Sequence, residues 1–173
     1  IFFDFRSLAG DRMLAEALRD HVTERVRRSP RFLKQMSDNA LRSGPPSAWT
    51  TGLLDGLFNR DEATVDLKLQ GAGPFVEGAR LLALAHGVRA TGTAERLTQL
   101  AQAGVLQAGE ARDWSAAFHF VQSLRLRAQH RRSLRAGDGE TRNPNRIDVR
   151  ELSGIDRRIL KESFRQARKL QQR

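Results

Sequence analysis

Thr64–Gly87 reads TVDLKLQGAGPFVEGARLLALAHG, and its three parts set the fold. Val65, Leu67 and Leu69 alternate with Asp66, Lys68 and Gln70, the period-two pattern of a half-buried strand. Gly71 and Gly73 follow, and glycine reaches dihedrals that a β-carbon forbids, so a sharp turn is expected there. Pro74 falls where a first helical residue would, with φ pre-set and no N–H to leave unpaired. Phe75–Ala85 is apolar nearly all round apart from Glu77 and Arg80, which predicts a helix in the middle of the fold. The strand would carry Asp66 and Lys68 on one face, beside the open N-terminus of that helix.

Upstream, residues 1–6 (IFFDFR) alternate bulky and polar side chains as a strand does. Asp11 can cap a helix whose Leu14, Leu18, Val22 and Val26 form one apolar stripe. Ser29-Pro30 starts a second helix with Phe32, Leu33, Met36 and Ala40 as its buried side, ended by Pro45-Pro46. Trp49–Phe58 fits a strand or a short helix, and Asn59-Arg60-Asp61 is turn chemistry. Downstream, Gly87 suits a left-handed helix end, Thr93 an N-cap, and Gly104 with Val105 a second capped end. Ala108–Arg135 reads as the longest helix, with Trp114, Ala117, Phe118, Val121, Leu124 and Ala128 at bundle spacing. Its last turns (Arg127, His130, Arg131, Arg132, Arg135) are expected in solvent or against an acidic neighbour. Residues 137–150 form a polar connection, and Ser153 with Asp156 starts a final helix that buries Ile159, Leu160, Phe164, Ala167 and Leu170. The predicted fold is mainly α: an antiparallel helical bundle over residues 11–173 with a short strand-containing insertion.

Composition narrows the functional classes. A chain of 173 residues is one domain's worth, with 39% hydrophobic residues and no run approaching the ~20 apolar residues of a membrane span. It begins Ile-Phe-Phe, with neither an initiating Met nor a basic leader, and reads as a piece of a longer protein. The absence of cysteine excludes disulfides and thiol catalysis and fits a cytoplasmic location. The net charge of +10 comes with only four lysines, Lys34, Lys68, Lys161 and Lys169, so arginine supplies the rest. GC-rich codon usage explains that bias; attraction of phosphates is the alternative. With no Tyr and 6% aromatic residues there are few platforms for stacking bases, so nucleic acid is not the expected partner. His21, His86, His119 and His130 lack metal-ligand spacing, and no metal or cofactor site is expected in this chain.

The run D-L-K-L-x-G-x-x-P-F-V-x-x-A-R-L-L-A-L-A-H-G-V-x-A-T-x-T-x-E-R-L, Asp66 to Leu97, resembles the C-terminal substrate-binding domain of the DUF294 family of nucleotidyltransferases. The likeness extends to F-F-D-F-R at Phe2–Arg6, N-x-I-D at Asn145–Asp148 and L-K-E-x-F at Leu160–Phe164. That residues 1–10 form a junction strand is implied by the resemblance alone. A more distant similarity joins Asp66-x-Lys68 and its glycines to PII uridylyltransferases and glutamine-synthetase adenylyltransferases. There the motif continues into an arginine, where this chain has Pro74-Phe75. The resemblance implies a bacterial signalling protein with cyclic-nucleotide-binding and CBS modules ahead of a catalytic domain. It further implies transfer of a nucleotidyl unit from a nucleoside triphosphate, with Mg²⁺, to a protein such as a PII-like regulator. Such transfer needs paired carboxylates on two ions, and the usual Gly-Ser followed by Asp-x-Asp does not occur here. This chain is therefore expected to lack the catalytic centre and to lie beside the nucleotidyltransferase domain of the same polypeptide.

The residues it could offer a substrate are Asp66, Lys68, Gly71, Arg80, Arg89, Asp4 and Arg6. A lysine on a rigid strand can neutralise a phosphate, with Asp66 orienting it; a solvated Asp–Lys pair is the plain alternative. Gly71 and Gly73 could present N–H groups to a phosphate or simply make a tight turn. Arg80 and Arg89 flank the central helix, and Arg80 needs a carboxylate or carbonyl partner, internal or on a ligand. Asp4 and Arg6 could face the site from the junction or form an edge pair. A second class of reading is a non-catalytic dimerisation or interaction module, which an exposed apolar patch away from Lys68 would favour.

Overall fold

The central helix is present, spans Gly73–His86, and buries Phe75, Ala79, Ala83 and Leu84 among the other helices. The computed structural model describes residues 3–46, 64–135 and 143–173, so the readings of Trp49–Phe58 and Asn59–Asp61 lie outside the described residues. Within them the elements are α1 (Arg12–Arg27), α2 (Pro30–Arg42), β1 (Thr64–Asp66), a π-helical segment (Leu67–Ala72), α3 (Gly73–His86), α4 (Thr93–Gln102), α5 (Ala108–Arg135), β2 (Arg146–Asp148), a 3₁₀ turn (Val149–Glu151) and α6 (Gly154–Gln171). Six helices pack on one another beside a two-stranded antiparallel sheet, a mainly α bundle.

Two apolar clusters hold it together. Phe75, Ala79, Leu97, Leu100, Trp114 and Leu170 join α3, α4, α5 and α6. Val65, Leu67, Val121, Leu124, Val149, Leu160 and Phe164 join the strands and π segment to α5 and α6. Several ends follow the sequence. Asp11 accepts from Met13 N, and Ser153 from Asp156 N. Gly87 and Gly104 take positive φ, and Val88 N and Val105 N reach back to Ala83 O and Leu100 O, which satisfies helix-end carbonyls.

Other expectations are corrected. The strand stops at Asp66, and Leu69, predicted inward, is 55% exposed because the chain has already turned into a helix. Residues 3–7 form no strand; they run irregularly against the helices. Leu14 and Leu18 are 71% and 53% exposed, because α1 turns Val22 and Val26 toward the bundle and its N-terminal leucines away. No residue of α2 is fully buried, Ile159 of α6 is exposed, and the α4 N-cap is Gly92 instead of Thr93. The polar connection holds β2, whose Thr64↔Asp148 and Asp66↔Arg146 pairing creates the sheet. Sequence periodicity does not reveal that pairing, because Ile147 is the single buried side chain of β2.

Candidate functional site

Asp66 does not lie beside Lys68 on a strand face; it caps the π segment that follows. Its Oδ1 accepts from the backbone N–H groups of Lys68 and Leu69, each at 2.9 Å, and its own N–H donates to Gln70 Oε1 at 2.9 Å. A π turn is a rare element that concentrates at functional sites, and here its opening donors are satisfied by one carboxylate. The other oxygen, Oδ2, accepts from Asn143 Nδ2 at 2.8 Å. Asn143 in turn accepts from Asn145 N, and Asn145 O accepts from Leu67 N. Lys68 is exposed, and no carboxylate among the described residues lies within ion-pair distance of its ammonium group.

The basic end of α5 builds the back of this site instead of projecting freely. Arg125 Nε and Gln129 Nε2 both donate to Asn145 Oδ1, at 2.8 and 3.0 Å. Arg132 donates to the carbonyls of Asn143 and Arg146. Arg127 reaches Asp156 at 3.4 Å, while Ala128 is buried in the apolar cluster with Leu124 and Phe164. The helix end thus clamps the loop that holds Asp66.

Gly71 and Gly73 do not form a phosphate cradle. Neither takes positive φ, and the Gly73 N–H is already donated to Lys68 O. Gly71 is buried because a β-carbon there would meet Val121 Cγ1 at 2.7 Å; at Gly73 it would stand 3.2 Å from Lys68 O. Close packing, not turning, explains both.

Asp4, Arg80 and Arg89 belong to a second place, which runs from the middle of α3 to just past its C-terminus. Asp4 bridges two guanidinium groups: Oδ2 accepts from Arg80 Nη2 and Oδ1 from Arg96 Nη2, both at 2.5 Å. Arg80 also donates to Glu77, and Arg96 Nε donates to Ala90 O. Arg96 is the more buried, with 3% of its side chain exposed. Partial burial by itself would raise the Asp4 carboxyl, but hydrogen bonds from Arg80 and Arg96 outweigh it and hold the pKa below the ordinary range. Arg89 pairs with Asp20 of α1, and Arg6 is exposed. A small open pocket lies here, lined by Phe3, Phe5, Arg19, Arg89 and Arg96 among others.

The site residues therefore fall into two groups that no hydrogen bond or ion pair among the described residues joins. Asp66, Lys68 and Gly71 precede the N-terminus of α3; Asp4 meets Arg80 seven residues along it, about 10 Å from Gly73, Arg89 lies past its C-terminus, and Arg6 bonds to neither group among the described residues. Sequence reasoning missed Arg96, whose signal was a lone charge beside Leu97 on a buried face. It also missed Asn143, Arg125 and Arg132, which act through contacts across long sequence gaps.

Among the described residues no three His, Asp or Glu side chains cluster as ligands of one metal ion. No helix among them is long and apolar enough to cross a membrane.

In class this is a helical bundle beside a two-stranded sheet, whose π turn presents an exposed lysine without an ion-pair partner among the described residues. Residues 30–173 match the family described as "Putative nucleotidyltransferase substrate binding domain", and the chain belongs to that DUF294 C-terminal family. Helix α1 and the Asp4 segment precede the matched region. No curated protein and no solved structure matches the chain.

Proposed function

We propose that this domain forms the substrate-facing wall of a nucleotidyltransferase whose catalytic domain belongs to the same polypeptide. Lys68 meets the negative charge of the substrate there, either a triphosphate or an acidic group of the acceptor. The observation that carries this reading is the exposed Lys68 ammonium group, without an ion-pair partner among the described residues, on a π turn whose backbone is fixed by Asp66. Both Asp66 oxygens are already engaged by the backbone and by Asn143, so Asp66 acts as a positioning residue. The reaction we assign is transfer of a nucleotidyl unit from a nucleoside triphosphate to a protein such as a PII-like regulator, in the cytoplasm, with Mg²⁺ on the catalytic domain. The test compares wild type and Lys68→Ala in the polypeptide carrying the catalytic domain, using labelled nucleoside triphosphates. Losing one charge-assisted contact should lower kcat/KM by about 10- to 100-fold. Unchanged transfer would remove Lys68 from the reaction.

A specific observation favours a second role beside the first. Leu8, Met13, Leu14 and Leu18 are exposed on and just ahead of α1, which packs on the end of α3 remote from Lys68. Such a face suits dimerisation or docking of the cyclic-nucleotide-binding and CBS modules. Light scattering on wild type and Leu14→Glu/Leu18→Glu would separate the two: an unchanged mass in both argues against self-association.

A further inference from the structure

We propose that Arg80 and Arg96 form an oxyanion seat, that Asp4 fills it from within the chain, and that a phosphate group takes it when the N-terminal segment moves away. This does not depend on the role of Lys68, which precedes the N-terminus of α3.

Unused donors support the seat. In a guanidinium group Nε and Nη2 share one edge, the fork that grips two oxygens of one anion. On Arg80, Nη2 is taken by Asp4 Oδ2, while Nε is buried without an acceptor. Arg19 repeats the pattern: Nη2 donates to Phe5 O at 2.6 Å and Nε is buried without a partner. Asp4 has already spent one oxygen on each arginine, so a carboxylate leaves these donors empty. A phosphate group, with more acceptor oxygens, can fill the Arg80 fork and still reach Arg96.

Charge gives the same answer. Arg19, Arg80, Arg89 and Arg96 lie along the C-terminal half of α3 and just beyond it, against Asp4, Asp20 and Glu77. With Asp4 withdrawn, four cations face two carboxylates, an imbalance that suits the roughly −1.5 to −2 of a phosphate group. Asp4 can leave because it sits in a segment without helix or strand. Among the described residues, the segment's other bonds and ring contacts to the helices are the Arg19–Phe5 contact and an edge-on meeting of Phe3 with Phe32 at 5.9 Å.

The test uses the whole chain, with Asp4→Ala and Asp4→Asn, titrated with inorganic phosphate or acetate at constant ionic strength. Asp4→Ala should lower Tm by about 6–12 °C, since it leaves a buried guanidinium uncompensated. Phosphate should then restore about half of that loss in a saturable way and leave wild type nearly unmoved. Calorimetric titration of Asp4→Asn, which keeps the side chain's shape, should give a phosphate Kd tighter than about 10 mM and little heat with acetate. Equal phosphate effects on wild type and variants would overturn the proposal, as would no binding to Asp4→Asn. Acetate matching phosphate would overturn the choice of phosphate and make the seat a carboxylate reader.

Discussion

Asp66 Oδ2 accepts a hydrogen bond from Asn143 Nδ2 at 2.8 Å, across 77 positions of sequence. That contact ties the start of the π segment to the loop gripped by Arg125, Gln129 and Arg132. The bearing of Lys68 therefore depends on α5 as well as on its own neighbours.

Asp66→Ala should destabilise the chain by about 1–2 kcal/mol, the cost of losing a cap that satisfies two opening N–H groups. For a domain of this size that is a Tm fall of about 2–8 °C in a thermal melt. Asn143→Ala should give a smaller fall, and the double variant less than the sum, because both remove one shared bond.

Lys68→Ala should leave Tm within about 1 °C of wild type, since the side chain is exposed and unpaired among the described residues. A large drop would show that the lysine supports the fold. Paired with lost transfer, an unmoved Tm isolates a substrate role.

Gly71→Ala should cost about 1–3 kcal/mol through overpacking against Val121, whose Cγ1 would stand 2.7 Å from the new carbon. Gly71→Ala/Val121→Ala should lose less than the two single losses added together in denaturant unfolding, because the smaller side chain makes room for the new carbon. A phosphate-cradling glycine would show no such rescue.

Acid should expose the Asp4 bridge. Its folded pKa lies below the unfolded value, so its stabilisation is complete above the unfolded pKa and is lost as pH falls through the folded one. Below roughly pH 4 the Tm of wild type should therefore fall more steeply than that of Asp4→Asn. The carboxyls of Glu110, held low by Arg173, and Asp148, held low by Arg150, titrate in both proteins and drop out of the difference.

The helical class, the buried α3, the long α5 and the capped ends at Gly87, Gly104 and Ser153 were legible in the chain itself. Each rests on local physics: periodic apolar side chains, a positive-φ glycine, an N-terminal hydroxyl. The family likeness was legible too, because it lies in one contiguous run from Asp66 to Leu97. The site was legible only as a set of residue types. Alternation at Val65, Leu67 and Leu69 suggested a strand, yet Asp66 bound the next two N–H groups and turned the chain. Gly71 looked like a tight-turn glycine, and only the approach of Val121 from α5 shows why a side chain is excluded. Asp4, Arg80 and Arg89 were grouped with Lys68, but Asp4 and Asp20 draw the two arginines into a separate set of ion pairs.

What the sequence determined alone was which segments coil and which faces are oily, because those preferences act within a few residues. Tertiary structure decided where the charges go: a carboxylate takes whichever donors packing brings to it, and at Asp4 these came from Arg80 and Arg96, 76 and 92 positions away.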